Sequence, residues 1–206
     1  MNTLESLSVE VQRRIKNDSA HDFSHIMRVY KNAQRIAKYE KVNKKLVLAS
    51  VLLHDIVQFQ KSDKRSKTAS VRSAQLAKKI LRRYDFTKKE IKIISDAIRD
   101  HSYSRKKKPK TLVGKILQDA DRLDALGAIG IARTFSVGGS DARMLYNESD
   151  PFCKKRTPDD KLWTVDHFYR KLLLLEKNMH TTYAKKEARR RTRFMRGFIA
   201  EMKEEI

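Results

Sequence analysis

Four ionisable residues stand in this 206-residue chain where the hydrophobic pattern calls for core. His54 and Asp55 interrupt the apolar text between Val51-Leu52-Leu53 and Ile56-Val57, and His25 takes an inward helical position beside Ile26. Asp121 follows Ile116-Leu117-Gln118-Asp119-Ala120, with Asp124 three residues on along the same face. A buried carboxylate without a partner costs several kcal/mol, comparable to a domain's whole stability. Two arrangements relieve that cost. The histidines and aspartates satisfy one another, or they share one divalent cation that neutralises both carboxylates and uses both imidazoles. Neighbouring helical residues point about 100° apart, so His54 and Asp55 share an ion only if it sits between their directions. Imidazole and carboxylate donors with room for water suit Mn, Mg, Co, Ni or Fe better than a closed zinc site.

The elements that must position these residues read as helices. Glycine and proline are scarce (six and three), while Leu, Ile, Ala, Lys and Arg abound. Apolar residues recur at helical spacing over about residues 3–16, from Asp22–His25 to Tyr39, and from Lys44 to Phe59. The third of these is apolar nearly all round and belongs at the centre of a bundle. Ala74, Ala77, Ile80 and Leu81 mark a fourth helix. Thr87-Lys-Lys-Glu90 has the form of a capping box opening a fifth, whose face carries Ile91, Ile94, Ile98 and His101. Arg105–Lys110 reads as a loop, and a helix is predicted from Leu112 to about Arg133, with Gly127 and Gly130 small enough for close helix contact. The expectation is one all-α domain over 1–206. Its metal-binding core spans about 20–135, an irregular connection about 136–161, and closing helices about 163–178 and 182–203.

Composition narrows the setting. The single cysteine, Cys153, forms no internal disulfide, which points to a reducing cytoplasmic environment. No apolar run approaches the roughly 20 residues that span a bilayer. Forty-seven Lys and Arg against 25 Asp and Glu give a formal charge of +22, which attracts polyanions: nucleotides, nucleic acid and anionic membranes all stay open as partners. The basic runs are Lys61–Lys67, Arg105–Lys110, Lys154–Arg156 and Lys185–Arg193. No Walker A loop, zinc-finger spacing or RNA-binding sheet signature is present.

His25, His54-Asp55 and Asp121, in that order and at these separations, resemble the H…HD…D signature of the HD superfamily of metal-dependent phosphohydrolases. The surrounding text is similar to the stand-alone bacterial-type branch: His21-Asp-Phe-Ser-His25-Ile-Met-Arg28-Val29 looks like its HDxxHxxRV opening. Leu117-Gln-Asp-Ala-Asp121-Arg-Leu-Asp124-Ala-Leu-Gly127-Ala-Ile-Gly130-Ile-Ala-Arg133 resembles its DADRLDAxGAxGIxR segment. The resemblance implies an HD-domain helical bundle with additional C-terminal helices, and metal ligation by His25, His54, Asp55 and Asp121. It implies hydrolysis of a phosphoester or phosphoanhydride, with a nucleotide as the expected substrate, by water that the ion acidifies. One cation is expected, since His101 is the only histidine between the HD pair and Asp121. His101 is a candidate substrate contact or general acid, or else a helix-end core residue. Asp124 is the candidate for orienting a ligand imidazole, Arg28 and Lys115 for binding phosphate, and His21 for flanking the site. Val57–Arg65 departs from the acidic text expected in the branch, which bears on the substrate. A homo-oligomer stays open, as does the rival reading of a basic nucleic-acid-binding protein with a silent HD site.

Overall fold

A computed structural model describes residues 2–15, 22–59 and 63–206. Helices make up most of the described residues, with no strand among them beyond an isolated bridge between Met144 and Trp163. The chain forms two compact units, 1–121 and 122–206, whose boundary falls inside a helix.

The first unit holds α1 (Thr3–Arg14), α2 (Phe23–Ala37), α3 (Lys44–Leu53), α4 (Ala69–Leu81), α5 (Lys88–Asp100) and most of α6 (Leu112–Asp124). α3 is central: every residue from Leu46 to Leu53 is buried, and the helix packs against α1, α2 and α5. Its neighbours are amphipathic, and α2 buries His25, Ile26, Val29, Asn32, Ala33, Ile36 and Ala37 on one face. The capping box at Thr87 forms as predicted, with Thr87 Oγ1 accepting from Glu90 N at 3.2 Å and Glu90 Oε2 from Thr87 N at 2.8 Å.

The predicted third helix stops six residues early. α3 ends at Leu53, and the backbone N–H groups of His54 and Ile56 turn back to Val51 O and Leu53 O at 3.4 Å. These three-residue bonds satisfy carbonyls at the helix end and release the chain direction at Asp55.

The second unit holds the end of α6, α7 (Gly127–Ser140), α8 (Asp166–Arg170), a 3-10 turn (Leu172–Asn178) and α9 (Thr182–Glu205). The single helix predicted over Leu112–Arg133 is two. Gly127 adopts φ +79°, which L side chains seldom take, and a Cβ at Gly130 would lie 2.3 Å from Ala125 O. These glycines serve the tight turn between α6 and α7. The irregular connection begins later than expected, since α7 runs to Ser140. The first closing helix is also shorter: Met144–Leu145 pairs with Leu162–Val165 through three backbone bonds of 2.9–3.1 Å before α8 begins.

Candidate metal centre

Each candidate ligand sits at a helix end or on a buried face. His25 lies in the first turn of α2, where Asp22 caps the helix by accepting from His25 N at 2.9 Å. His54 is the residue that ends α3, and His101 ends α5 in the same way. Each turns its ring back on its own helix: His54 Nδ1 donates to Val51 O at 2.7 Å, and His101 Nδ1 to Ile98 O at 2.6 Å. With Nδ1 committed to a carbonyl, Nε2 is the nitrogen directed at the site. Asp121 comes from α6.

The side chains converge. Nε2 of His25 lies 3.7 Å from Asp121 Oδ1 and 3.9 Å from Asp55 Oδ2, and Nε2 of His54 lies 3.9 and 3.6 Å from the same atoms. His25, His54 and Asp121 offer ligand atoms within 4.8 Å of one another, as do His54, Asp55 and His101. His101 Nε2 approaches the other oxygen of Asp55 at 3.5 Å. The imidazoles form a buried floor, all at most 5% exposed, while Asp55 and Asp121 retain 21% and 29% and open the cluster to solvent. Ending α3 at Leu53 is what lets adjacent His54 and Asp55 face one point.

The donor set fits a cation. His54 Nε2 is buried and makes no hydrogen bond, yet it faces two carboxylate oxygens. With Nδ1 carrying the proton, a lone pair confronts two anions, and a positive charge among them removes the conflict. Protein groups alone already polarise the cluster. Burial pushes the His54 imidazole below its ordinary value, against the charge of Asp55. Burial also opposes ionisation of Asp121, but the nearby His54, His101 and His25 hold that carboxyl below the usual range. His101 is disfavoured by burial, yet its bond to Asp55 and the charges of Asp55 and Asp121 raise it to about 8.

Residues not singled out from sequence hold the clustered side chains in place. Asn32 Nδ2 donates to Ala120 O at 3.2 Å, joining α2 to α6 beside Asp121. Gln118 Nε2 lies 3.2 Å from the carbonyls of Asp100, His101 and Lys107, fixing the end of α5. Ser73 Oγ accepts from Val57 N at 3.1 Å, anchoring the segment after the HD pair to α4. A signal existed for Asn32: it stands seven residues after His25 on the same helical face. Among the remaining candidates, Arg28 follows His25 by one turn and donates to Ser24 Oγ at 3.1 Å. Lys115 lies about 120° around α6 from Asp121, so the two occupy different faces. Asp124 Oδ2 accepts from Arg133 Nη1 at 2.7 Å. His21 lies outside the described residues.

The HD-domain profile matches residues 22–126, which include the whole cluster. The chain belongs to the HD-domain family. The Bacillus subtilis protein YpgQ is 30% identical over 203 residues, covering 98% of this chain and 93% of YpgQ. A crystal structure of an HD-superfamily hydrolase from Bacillus thuringiensis matches with 32% identity and a TM-score of 0.76, over 98% of this chain and 95% of that one. The crystal structure of Bacillus subtilis YpgQ in complex with ADP matches with 28% identity and a TM-score of 0.76, over 99% and 95% of the respective chains. HD-family membership agrees with the cluster, in which His25, His54-Asp55 and Asp121 follow the H…HD…D order. Among the described residues no helix is long and apolar enough to cross a membrane.

Proposed function

We propose that this HD-family protein is a divalent-cation-dependent phosphohydrolase that cleaves a phosphoester or phosphoanhydride of a nucleotide. The observation that carries the reading is the convergence of His25, His54, Asp55 and Asp121, with His54 Nε2 buried and directed at both carboxylates. These four residues would hold the ion. Once bound, a divalent cation supplies positive charge to the phosphoryl group under attack and lowers the pKa of water.

The chain's own groups do the rest. The partly exposed carboxylates leave one side of the cluster open to substrate. Arg28, at the start of α2, offers a guanidinium for phosphate oxygens close to His25. His101 stands at the edge of the set with Nε2 on Asp55, where it can pass a proton to the leaving oxygen. The nucleotide part of the proposal is supported by ADP in the crystal of the related YpgQ.

The test is a screen of nucleoside mono-, di- and triphosphates and simple phosphoesters with Mn, Mg, Co, Ni and Fe, following release of phosphate and pyrophosphate. Metal-dependent turnover that disappears in Asp55→Ala and Asp121→Ala, with helical content unchanged, is the expected result. No hydrolysis with any cation overturns the reading.

A further inference from the structure

The basic runs of the sequence have different fates in the fold. Arg65 is spent on Asp63 at 2.7 Å, Arg105 faces Asp100 at 3.9 Å, and Arg156 is locked on Asp166. The run on α9 is used differently. Its one acidic residue, Glu187, is occupied by Arg190 at 2.8 Å and Arg191 at 2.7 Å. Lys185, Lys186, Arg189, Arg193 and Arg196 are all exposed, and none pairs with a carboxylate among the described residues. At about 100° per residue these five fall within one stripe roughly 100° wide, running about 16 Å along a continuous helix. The adjoining face, Ala184, Ala188, Thr192, Met195, Ile199 and Met202, is buried.

Five like charges held in line repel one another, and the remaining acidic residues of α9 (Glu201, Glu204 and Glu205) all lie C-terminal to the stripe. Their mean spacing along the axis, about 4 Å, is of the same order as the roughly 3.4 Å per phosphate of one strand of a duplex. An anionic membrane is the weaker match. Helices that lie in a bilayer interface bury an apolar face there, whereas α9 spends its apolar face inside its own unit and exposes a single aromatic, Phe194, at 55%.

We propose that the α9 stripe docks the phosphodiester backbone of duplex nucleic acid, independently of base sequence and of the metal centre. The interaction rests on counterion release and scales with the number of phosphates neutralised.

The test uses the full chain and fluorescence anisotropy with labelled 30-base-pair DNA and RNA duplexes of two unrelated sequences, across a salt series. The triple variant Lys186→Gln/Arg189→Gln/Arg193→Gln keeps good helix formers in α9. A control of equal net charge, Lys31→Gln/Arg35→Gln/Lys38→Gln, removes three exposed cations from α2 and the residue that caps its C-terminus. The α9 variant should bind at least tenfold more weakly, and its slope of log K against log salt should be shallower by about 2.7. The control should stay within threefold of the unmodified protein. Binding of one duplex type but not the other assigns the backbone, DNA or RNA, that the stripe takes. Equal losses in both variants would mean that diffuse charge alone binds, and would overturn the proposal. So would the absence of duplex binding at 50 mM salt, or binding to vesicles of phosphatidylserine and phosphatidylcholine without binding to either duplex. Circular dichroism and cation binding at the HD cluster, unchanged in both variants, separate these outcomes from misfolding.

Discussion

Asn32 reaches across the interior of the first unit and donates its amide to the carbonyl of Ala120 at 3.2 Å, immediately before Asp121. One hydrogen bond therefore couples the helix that carries His25 to the helix that carries Asp121. Asn32→Ala is expected to cost about 1 kcal/mol of stability and to weaken cation binding as the two helices lose their register. Urea unfolding and calorimetric titration with Mn measure the two effects. An unchanged cation affinity would show that Asn32 serves the core alone.

Under the proposed reading the cluster divides into ligands and a neighbour. His54→Asn should abolish cation binding by removing the nitrogen directed at both carboxylates. His101→Asn should retain most of the binding while losing about 100-fold or more in turnover, the scale of a missing proton-transfer group. Titration with Mn alongside single-substrate kinetics separates them. Loss of binding in both would place His101 among the ligands.

Cation removal should lower stability through linkage. An ion that binds the folded cluster and not the unfolded chain adds about 2.7 kcal/mol at 100 times its Kd. Thermal melting with Mn and then with excess EDTA should show a higher Tm in the metal. Asp55→Ala should melt alike in both conditions, and a metal-induced rise in that variant would locate the binding elsewhere.

Acid should weaken α9 in a defined window. Hydrogen bonding to Arg190, opposed by burial and reinforced by Arg191, draws the Glu187 carboxyl down to about 2 from an ordinary value of 4.5. A carboxyl with a depressed folded value stabilises the fold above its unfolded value and loses that contribution as pH falls through the folded one. Glu187→Gln should therefore melt lower than the unmodified protein at pH 7, with the difference shrinking between about pH 4.5 and 2. A pH-independent difference would assign the effect to packing.

Arg156, part of a basic run in the sequence, is a structural residue. Its guanidinium holds the fully buried Asp166 through bonds of 2.5 and 2.7 Å and lies 4.3 Å over the Trp163 ring. Arg156→Met leaves a buried charge uncompensated and is expected to cost about 3–5 kcal/mol. Asp166→Leu added to it should recover much of that loss. Denaturant midpoints for the single and double variants decide the point.

Sequence alone determined the helical class, because the spacing of apolar residues in α2, α5 and α9 reports which face is buried wherever the helix finally packs. It also singled out His25, His54, Asp55 and Asp121, which the fold brings together, since such residues are costly in a core unless they meet something. The capping box at Thr87 was legible because its bonds are local. Three features waited for the tertiary structure. The end of α3 at Leu53 depends on the His54 ring bonding Val51, a competition between side chain and continuing helix that apolar periodicity does not register. The break after Asp124 depends on the close approach of Gly130 to Ala125 and on the positive φ of Gly127. The roles of Asn32, Gln118 and Arg156 lie in partners distant along the chain. A residue's type announces the bonds it can make, but only the folded chain supplies the atom at the other end.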